Sequence, residues 1–206
     1  MTPRAVVFDI GNVLIEWLPE RFFDAEIGEA RRKDLFASVD LHYANDLVDR
    51  GGHFQTTIAD CAAKHPDWHD EVMMWHDRWL DIAGPDIPHS VRILRALRGN
   101  GVPVFALSNF GIGTFELAEP VYPFLSEFDR RYISGYMGMA KPDSEIYAAV
   151  EADCGVPPEA LLFADDRHEN IAAAVARGWQ GHLFDGPEGF AKRLVADGLL
   201  TEEQAQ

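Results

Sequence analysis

The stretch Ala5-Val6-Val7-Phe8-Asp9-Ile10-Gly11-Asn12 decides the architecture, because four apolar residues lead directly into an aspartate and a turn. A short uninterrupted apolar run is typical of a strand that is buried on both faces of a parallel sheet. Three further polar clusters occur later, at Ser108-Asn109 after the apolar run 104–107, at Lys141-Pro142-Asp143, and at Asp165-Asp166 after the apolar run 161–164. The carboxyl ends of parallel strands meet at one edge of a sheet. We therefore expect these clusters to converge on one ligand-binding crevice.

Helix-like and strand-like stretches alternate after Pro88. The pattern predicts helices over 90–98, from 143 or 144 to about 154, and from about 168 to 177, and strands over 104–107, 132–134, 161–164 and 182–184. This alternation favours an α/β fold with a doubly wound, Rossmann-like parallel sheet.

Residues 16–84 interrupt that alternation. They contain few β-branched runs, and 67–82 carries an apolar stripe at helical spacing. Pro19 and residues 84–88 are rich in structure-breaking residues and are predicted to be hinge linkers. We therefore expect a core formed by 1–15 and 85–206, with 16–84 inserted as a helical cap.

Composition limits the partners of this chain. Its 206 residues contain 34 acidic and 18 basic side chains, a formal net charge of -16. This charge repels nucleic acids and anionic lipids, so neither is an expected partner. Cys61 and Cys154 show no paired motif spacing, and no apolar run reaches the length of a membrane span. We expect a cytoplasmic protein whose oligomeric state the sequence leaves open.

Taken in order, the polar clusters resemble the four motifs of the haloacid dehalogenase-like hydrolase superfamily, which is dominated by magnesium-dependent phosphatases. The motifs are carried by residues 8–14, by Ser108-Asn109, by Lys141-Pro142, and by Asp165-Asp166 with Asn170. The resemblance implies a five-stranded parallel sheet with the Asp9 strand at its centre. It also implies that the helical insertion is a cap that closes over the site.

The resemblance implies a phosphatase acting on a small phosphorylated metabolite, a class that includes sugar phosphates. Asp9 would form an aspartyl phosphate, and Mg²⁺ would be held by Asp9, Asp166, the main-chain oxygen of Gly11, and Asp165 as a supporting or shared ligand. Asn170 would orient these carboxylates or a metal-bound water.

The remaining motif residues would bind the phosphoryl group. Ser108 and Asn109 would donate hydrogen bonds to its oxygens, with the Asn109 backbone N–H adding to them, and Lys141 would supply a compact positive charge.

Gly11 departs from the pattern of most phosphatases of this superfamily, which carry a second aspartate there as general acid and base. Some sugar-1-phosphate phosphatases of the superfamily share the Asp-x-Gly-Asn-Val sequence found here. Either another group replaces the missing carboxyl, or the substrates have good leaving groups. Glu16 and His42 are candidates that would reach the site from the insertion.

Two alternatives remain open. A 2-haloacid dehalogenase uses the same nucleophilic aspartate without a metal, but usually carries Ser and Asn in the fourth motif, whereas Asp165 and Asp166 call for a cation beside them. A catalytically degenerate binding protein would explain the missing carboxyl at Gly11, but not the retention of Asp9 and Lys141.

Overall fold

The computed structural model describes residues 2–206, which form seven strands and twelve α-helices. In chain order these are β1 (Ala5–Phe8), β2 (Ile15–Trp17), α1 (Pro19–Ile27), α2 (Glu29–Ser38), α3 (Leu41–Asp49), α4 (Phe54–Lys64), α5 (His69–Asp77), α6 (Trp79–Ile82), β3 (Ala83–Asp86), α7 (Pro88–Gly99), β4 (Val104–Ser108), α8 (Ile112–Ala118), β5 (Arg130–Ile133), α9 (Ser134–Met137), α10 (Ser144–Cys154), β6 (Leu161–Asp165), α11 (His168–Ala176), β7 (Gln180–Leu183) and α12 (Pro187–Ala196). Three short 3₁₀ turns lie at Pro66–Trp68, Pro123–Ser126 and Pro158–Ala160.

Five strands form one parallel sheet in the order β5-β4-β1-β6-β7. The strand that leads to Asp9 is therefore central, which confirms the predicted five-stranded parallel sheet. Every residue of β1 is buried, because both neighbours and both faces are covered. Phe8 lies between Ala106 and Ala164 in the register, so small residues flank the bulky ring within the sheet.

The alternation of side chains along β1 divides the core into two apolar layers. Val6 and Phe8 belong to one layer, which includes residues of α7 and α12. Ala5 and Val7 belong to the other, which includes residues of α10 and α11. Helices thus cover both faces of the sheet, as a doubly wound fold requires.

The segment between β2 and β3 contains six helices, α1 to α6. Trp75 on α5 is fully buried and packs against Trp17, Phe23 and Phe36. The apolar stripe predicted over 67–82 is buried, but it does not lie on one helix. Helix α5 ends at Asp77, and Trp79 begins α6, where its ring lies 5.5 Å from that of Phe110 in the core.

The predicted linkers are more ordered than their composition suggests. Residues 15–17 and 83–86 pair as an antiparallel two-stranded ribbon, β2–β3, at the base of the insertion. The Tyr122 hydroxyl donates to the Ala83 carbonyl at 2.8 Å, and Arg21 donates to the Gly84 carbonyl at 2.8 Å. Pro19 lies in the first turn of α1, where its missing N–H costs nothing. Among residues 2–206, none of the helices is long and apolar enough to cross a lipid bilayer.

Candidate active site

Three of the predicted clusters lie together at the carboxyl edge of the parallel sheet. Asp9 follows β1, and Ser108 and Asp165 are the last residues of the neighbouring strands β4 and β6. Asp9 is buried, its Oδ1 accepts the Ile10 N–H at 2.7 Å, and its carboxylate accepts a hydrogen bond from Ser108. The strand order thus accounts for the convergence of residues that are more than 150 positions apart.

Lys141 lies between two of these carboxylates. Its Nζ is 2.9 Å from Asp9 Oδ1 and 2.6 Å from Asp165 Oδ2, and the residue is only 3% exposed. Burial alone would lower the pKa of Lys141, but the two neighbouring carboxylates outweigh that effect and raise it. The ammonium is therefore held in its charged form beside Asp9.

Asn109 fixes the backbone that carries this lysine. Its Nδ2 donates to the Lys141 carbonyl at 2.9 Å, and its Oδ1 accepts the Lys141 N–H at 2.8 Å. The Asn109 side chain therefore positions the backbone of Lys141, whereas the sequence predicts that it donates to a phosphoryl group. Phosphoryl contact by the Asn109 backbone N–H stays a prediction.

Asp165 is fully buried and receives several donors besides Lys141. Asn170 Nδ2 lies 3.0 Å from both of its oxygens, and the Arg167 N–H donates to Oδ1 at 2.8 Å. The Asn170 backbone is in turn held by the Tyr147 hydroxyl, which donates to its carbonyl at 3.0 Å. Asn170 therefore fixes the orientation of the Asp165 carboxylate, and its supporting role at a metal site stays a prediction.

Asp166 faces the cavity instead. Its Oδ2 accepts a hydrogen bond from Asn12 Nδ2 at 2.9 Å. Burial raises the pKa of Asp166, and the bond from Asn12 opposes that rise. Asn12 adopts a φ of 55°, in the left-handed region that asparagine tolerates better than most residues. Sequence reasoning assigned Asn12 no role, although it lies in the first motif.

The cluster of three carboxylates at the site is suited to binding a divalent cation. Asp9, Asp165 and Asp166 each offer an oxygen, and these oxygens lie within 4.8 Å of one another. Asn170 Oδ1 is buried in the same region without a hydrogen-bond partner. Burial raises the pKa of Asp9 to about 7, Lys141 opposes this rise, and the charge of Asp165 adds to it. A cation among these oxygens would compensate the buried negative charge.

A cavity of about 210 Å³ opens above these groups. Its floor belongs to the core, and its roof includes residues of the insertion and the β2–β3 ribbon, namely Glu16, Trp17, His42, Asn45, Asp46, Asp49 and Trp79. Glu16 and His42 thus reach the cavity, as expected. Glu16 pairs with Arg21 at 2.5 Å.

Asp49, at the end of α3, is a cavity residue that sequence reasoning missed. Burial raises its pKa to about 7, and the nearby charge of Asp46 adds to this shift. In a chain with 34 acidic residues, nothing local distinguishes this aspartate. Only the packing of the insertion against the core brings it to the site.

Comparison with known proteins agrees with this geometry. A family model described as haloacid dehalogenase-like hydrolase matches residues 3–178. Sesquiterpene phosphatase astK of Aspergillus oryzae is 35% identical over 189 residues, which cover 89% of this chain and 91% of that protein.

Two similar solved structures illustrate the range of the fold. An enzyme of this family from Bacteroides thetaiotaomicron, in complex with magnesium and inorganic phosphate, is 23% identical with a TM-score of 0.67, covering 87% of this chain and 93% of its own. L-2-haloacid dehalogenase from Xanthobacter autotrophicus, with chloropropionic acid covalently bound, is 18% identical with a TM-score of 0.62. The match covers 98% of this chain and 86% of the dehalogenase chain.

These two likenesses show the shared fold, whereas the family model and the 35% identical relative extend over most of the chain. This chain therefore belongs to the haloacid dehalogenase-like hydrolase family and is an enzyme of the hydrolase class.

Proposed function

We propose that this hydrolase is a Mg²⁺-dependent phosphatase that acts on a small phosphorylated metabolite through an aspartyl-phosphate intermediate. The observation that carries the proposal is the group of three carboxylates, Asp9, Asp165 and Asp166, with oxygens within 4.8 Å of one another beside the buried Lys141. Three carboxylates around a single ammonium leave excess negative charge, which a divalent cation would compensate, and magnesium prefers carboxylate, phosphate and water oxygens.

Each residue has a distinct role in this proposal. Asp9 is the nucleophile that attacks phosphorus. Ser108, the Asn109 backbone N–H and Lys141 bind the phosphoryl oxygens, where fixed donors stabilise the charge that develops in the transition state.

Mg²⁺ would be held by Asp9, Asp166 and the Gly11 carbonyl, and would screen the repulsion between Asp9 and the phosphate. Asp165 supports the site by fixing Lys141, because its oxygens already accept bonds from that lysine and from Asn170.

The dehalogenase alternative is less consistent with the fourth motif. A metal-free mechanism accounts for Asp165, which binds Lys141, but it gives no reason to place the second, half-buried carboxylate of Asp166 beside it. The similarity to a dehalogenase concerns the fold, which both chemistries share.

The cavity supports a small substrate. Its volume of about 210 Å³ is below the roughly 300–1,000 Å³ that is typical of sites for drug-sized ligands. Sugar phosphates are therefore our first candidates. The similarity to a sesquiterpene phosphatase makes an isoprenoid phosphate the second candidate, which would require a wider opening of the cavity.

A substrate screen tests this proposal. Hydrolysis of p-nitrophenyl phosphate, sugar 1-phosphates and farnesyl phosphate is measured with Mg²⁺ and with a chelator, and 2-chloropropionate serves as the dehalogenase control. We expect Mg²⁺-dependent phosphate release that Asp9→Asn abolishes. Chloride release without phosphatase activity would instead identify a dehalogenase, and inactivity on all of these compounds would favour the binding-only alternative.

A further inference from the structure

Asp49, at the end of α3, is a carboxyl group of the insertion that lines the cavity and is fixed there by hydrogen bonds. Asn45 Nδ2 donates to Asp49 Oδ2 at 2.9 Å, and the Gly111 N–H of the core also donates to this carboxyl group. The side chain therefore lies where α3 meets the core, on the wall of the same cavity as Asp9.

Contacts on both sides fix this position. Trp75 Nε1 donates to Asn45 Oδ1 at 3.2 Å, which sets the orientation of the Asn45 amide. Ser134 Oγ donates to the Asp49 carbonyl at 2.5 Å. A Cβ atom added to Gly111 would lie only 2.4 Å from a methyl group of Val48, so α3 packs directly on the core backbone at this point.

The surroundings of Asp49 favour a carboxyl group that exchanges a proton near neutral pH. Besides burial, the charges of Asp46 on its own helix and of Asp9 in the core raise its pKa, whereas Lys141 in the core lowers it. Burial is the largest cause of its raised pKa, and the bond from Gly111 opposes the rise. Both of its hydrogen bonds are accepted, so a proton on Asp49 is free to point into the cavity.

The other polar groups of the roof are less suited to this task. Glu16 is paired with Arg21 at 2.5 Å, and Asp46 lies 3.3 Å from Arg50. The His42 side chain is 55% exposed.

Gly11 has no side chain that could transfer a proton, and steric crowding does not explain why a glycine is needed at this position. A Cβ atom added there would lie 3.8 Å from Trp17 Cβ, an ordinary contact distance. The backbone would accommodate a side chain, yet the sequence provides none beside the nucleophile.

We propose that Asp49 is the general acid and general base of the reaction, in place of the carboxylate that is missing at Gly11; this role rests on the proposed phosphatase function. It makes the insertion part of the catalytic machinery and favours substrates with poor, alcohol-type leaving groups.

The proton transfers balance over two steps. First, an Asp9 oxygen bonds to phosphorus, the bond to the leaving oxygen breaks with its electron pair on that oxygen, and the Asp49 proton moves to it. Then a water oxygen bonds to phosphorus, the bond to Asp9 breaks with its electron pair on the Asp9 carboxylate, and a water proton moves to Asp49. The products are an alcohol and inorganic phosphate, and both carboxyl groups return to their starting states.

The test compares two esters of similar size with Mg²⁺ present: benzyl phosphate, whose leaving group needs a proton, and p-nitrophenyl phosphate, whose leaving group needs little help. For Asp49→Asn we expect kcat/KM to fall by about 100-fold or more with benzyl phosphate and to change little with p-nitrophenyl phosphate. Because the second step also lacks its base, this variant should release a burst of p-nitrophenol before slow turnover. Asp46→Asn, in the same wall, should keep the wild-type ratio of the two kcat/KM values.

Equal losses with both esters, or no loss with either, would overturn the role of Asp49 while leaving the phosphatase proposal intact. A selective loss in Asp46→Asn instead would also overturn it. Wild-type protein that hydrolyses neither ester would overturn both proposals. The burst amplitude counts the folded active sites, and Asp49→Ser gives the same comparison if the asparagine variant is recovered unfolded.

Discussion

At the scale of single residues, the ammonium of Lys141 organises the site. Its Nζ lies 2.9 Å from Asp9 Oδ1 and 2.6 Å from Asp165 Oδ2, so a positive charge lies between two buried carboxylates. A buried charge that loses its partner costs far more than an exposed pair contributes. The lysine thus has a structural role as well as the catalytic role that we propose.

The first prediction concerns this buried group. Lys141→Met leaves two carboxylates without their cation and should lower the free energy of unfolding by about 3–5 kcal/mol. The matched control is Lys33→Met, whose partner Glu29 is 66% exposed, and which should change the free energy of unfolding far less because water screens the pair. Urea unfolding at neutral pH without Mg²⁺ measures both. Equal losses in the two variants would contradict this reading of Lys141.

The second prediction concerns Asn12, whose Nδ2 donates a hydrogen bond to Asp166 Oδ2 at 2.9 Å. Removing a residue that orients a metal ligand typically weakens metal binding by about 10–100-fold. We expect this loss of Mg²⁺ affinity in Asn12→Ala, measured by isothermal titration calorimetry. Asn100→Ala is the control, because Asn100 bonds to Leu199 and Gln204 instead. Unchanged Mg²⁺ affinity in Asn12→Ala would show that Asp166 needs no such support or does not bind the metal.

The positions of the site residues at the edge of the sheet could be predicted from the sequence, because each of these residues comes at the carboxyl end of a buried strand. Asp9 directly follows β1 and Asp165 is the last residue of the neighbouring strand β6, so the apolar runs before them already indicate a shared crevice. Asn12 and Asp49 were not predictable in the same way. The position of Asn12 depends on one left-handed residue in a turn, and that of Asp49 depends on how a helix of the insertion meets the core.

At the scale of elements, the β2–β3 ribbon joins the insertion to the core. The helical character of residues 16–84 was predictable from their apolar spacing, but the ribbon was not. Its strands have three and four residues, and Gly84-Pro85 within it suggests a linker. Proline is tolerated at such an edge because a lone ribbon leaves one side unpaired. The chain thus enters and leaves the insertion through adjacent strands, a geometry suited to a hinge.

The third prediction is that the insertion closes over the bound phosphoryl group. Backbone amide exchange within residues 19–82 should slow when Mg²⁺ and beryllium fluoride are added, because closure removes opening motions of the α3 contact with the core. Hydrogen exchange followed by mass spectrometry measures this change. Asp9→Asn is the control, since it lacks the carboxylate to which beryllium fluoride would bind. Exchange that stays the same in the wild-type protein would count against a closing cap.

At the scale of the whole molecule, the free energy of unfolding depends on the protonation of carboxyl groups at the site. The pKa of Asp49 is about 7 in the folded protein, against 3.8 for an ordinary aspartate. Between these values the folded chain holds a proton that the unfolded chain has released. Raising the pH across this window therefore favours unfolding, and the cost is complete above about pH 7.

The fourth prediction follows from that linkage. Asn does not titrate, so the free energy of unfolding of Asp49→Asn should rise relative to the wild type between pH values of about 4 and 7. Glu151→Gln is the control, because Arg177 lowers the pKa of Glu151 from its usual 4.5 and its contribution is constant above that value. Urea unfolding across the pH range measures both differences. A difference for Asp49→Asn that is independent of pH would mean that its pKa is not raised.

The whole-molecule architecture was predictable to the extent that it follows from hydrophobic patterning. Alternating helices and buried strands specified the sheet, with the strand that leads to Asp9 at its centre. The break between α5 and α6 was not predictable from the apolar stripe, because Trp79 turns toward Phe110 only in the folded molecule. Such contacts between the insertion and the core also determine the cavity and hence the substrate.

Covalent catalysis by Asp9 is the central step of the proposed mechanism, and a chemical trap tests it directly. The protein is mixed with p-nitrophenyl phosphate and Mg²⁺, quenched in acid during turnover, reduced with borohydride and digested, and the peptide that contains residue 9 is analysed by mass spectrometry. An aspartyl phosphate is reduced to homoserine, so we expect homoserine at position 9 in protein treated with substrate and aspartate in untreated protein. Unmodified aspartate at position 9 during rapid turnover, with homoserine at another position, would contradict nucleophilic catalysis by Asp9.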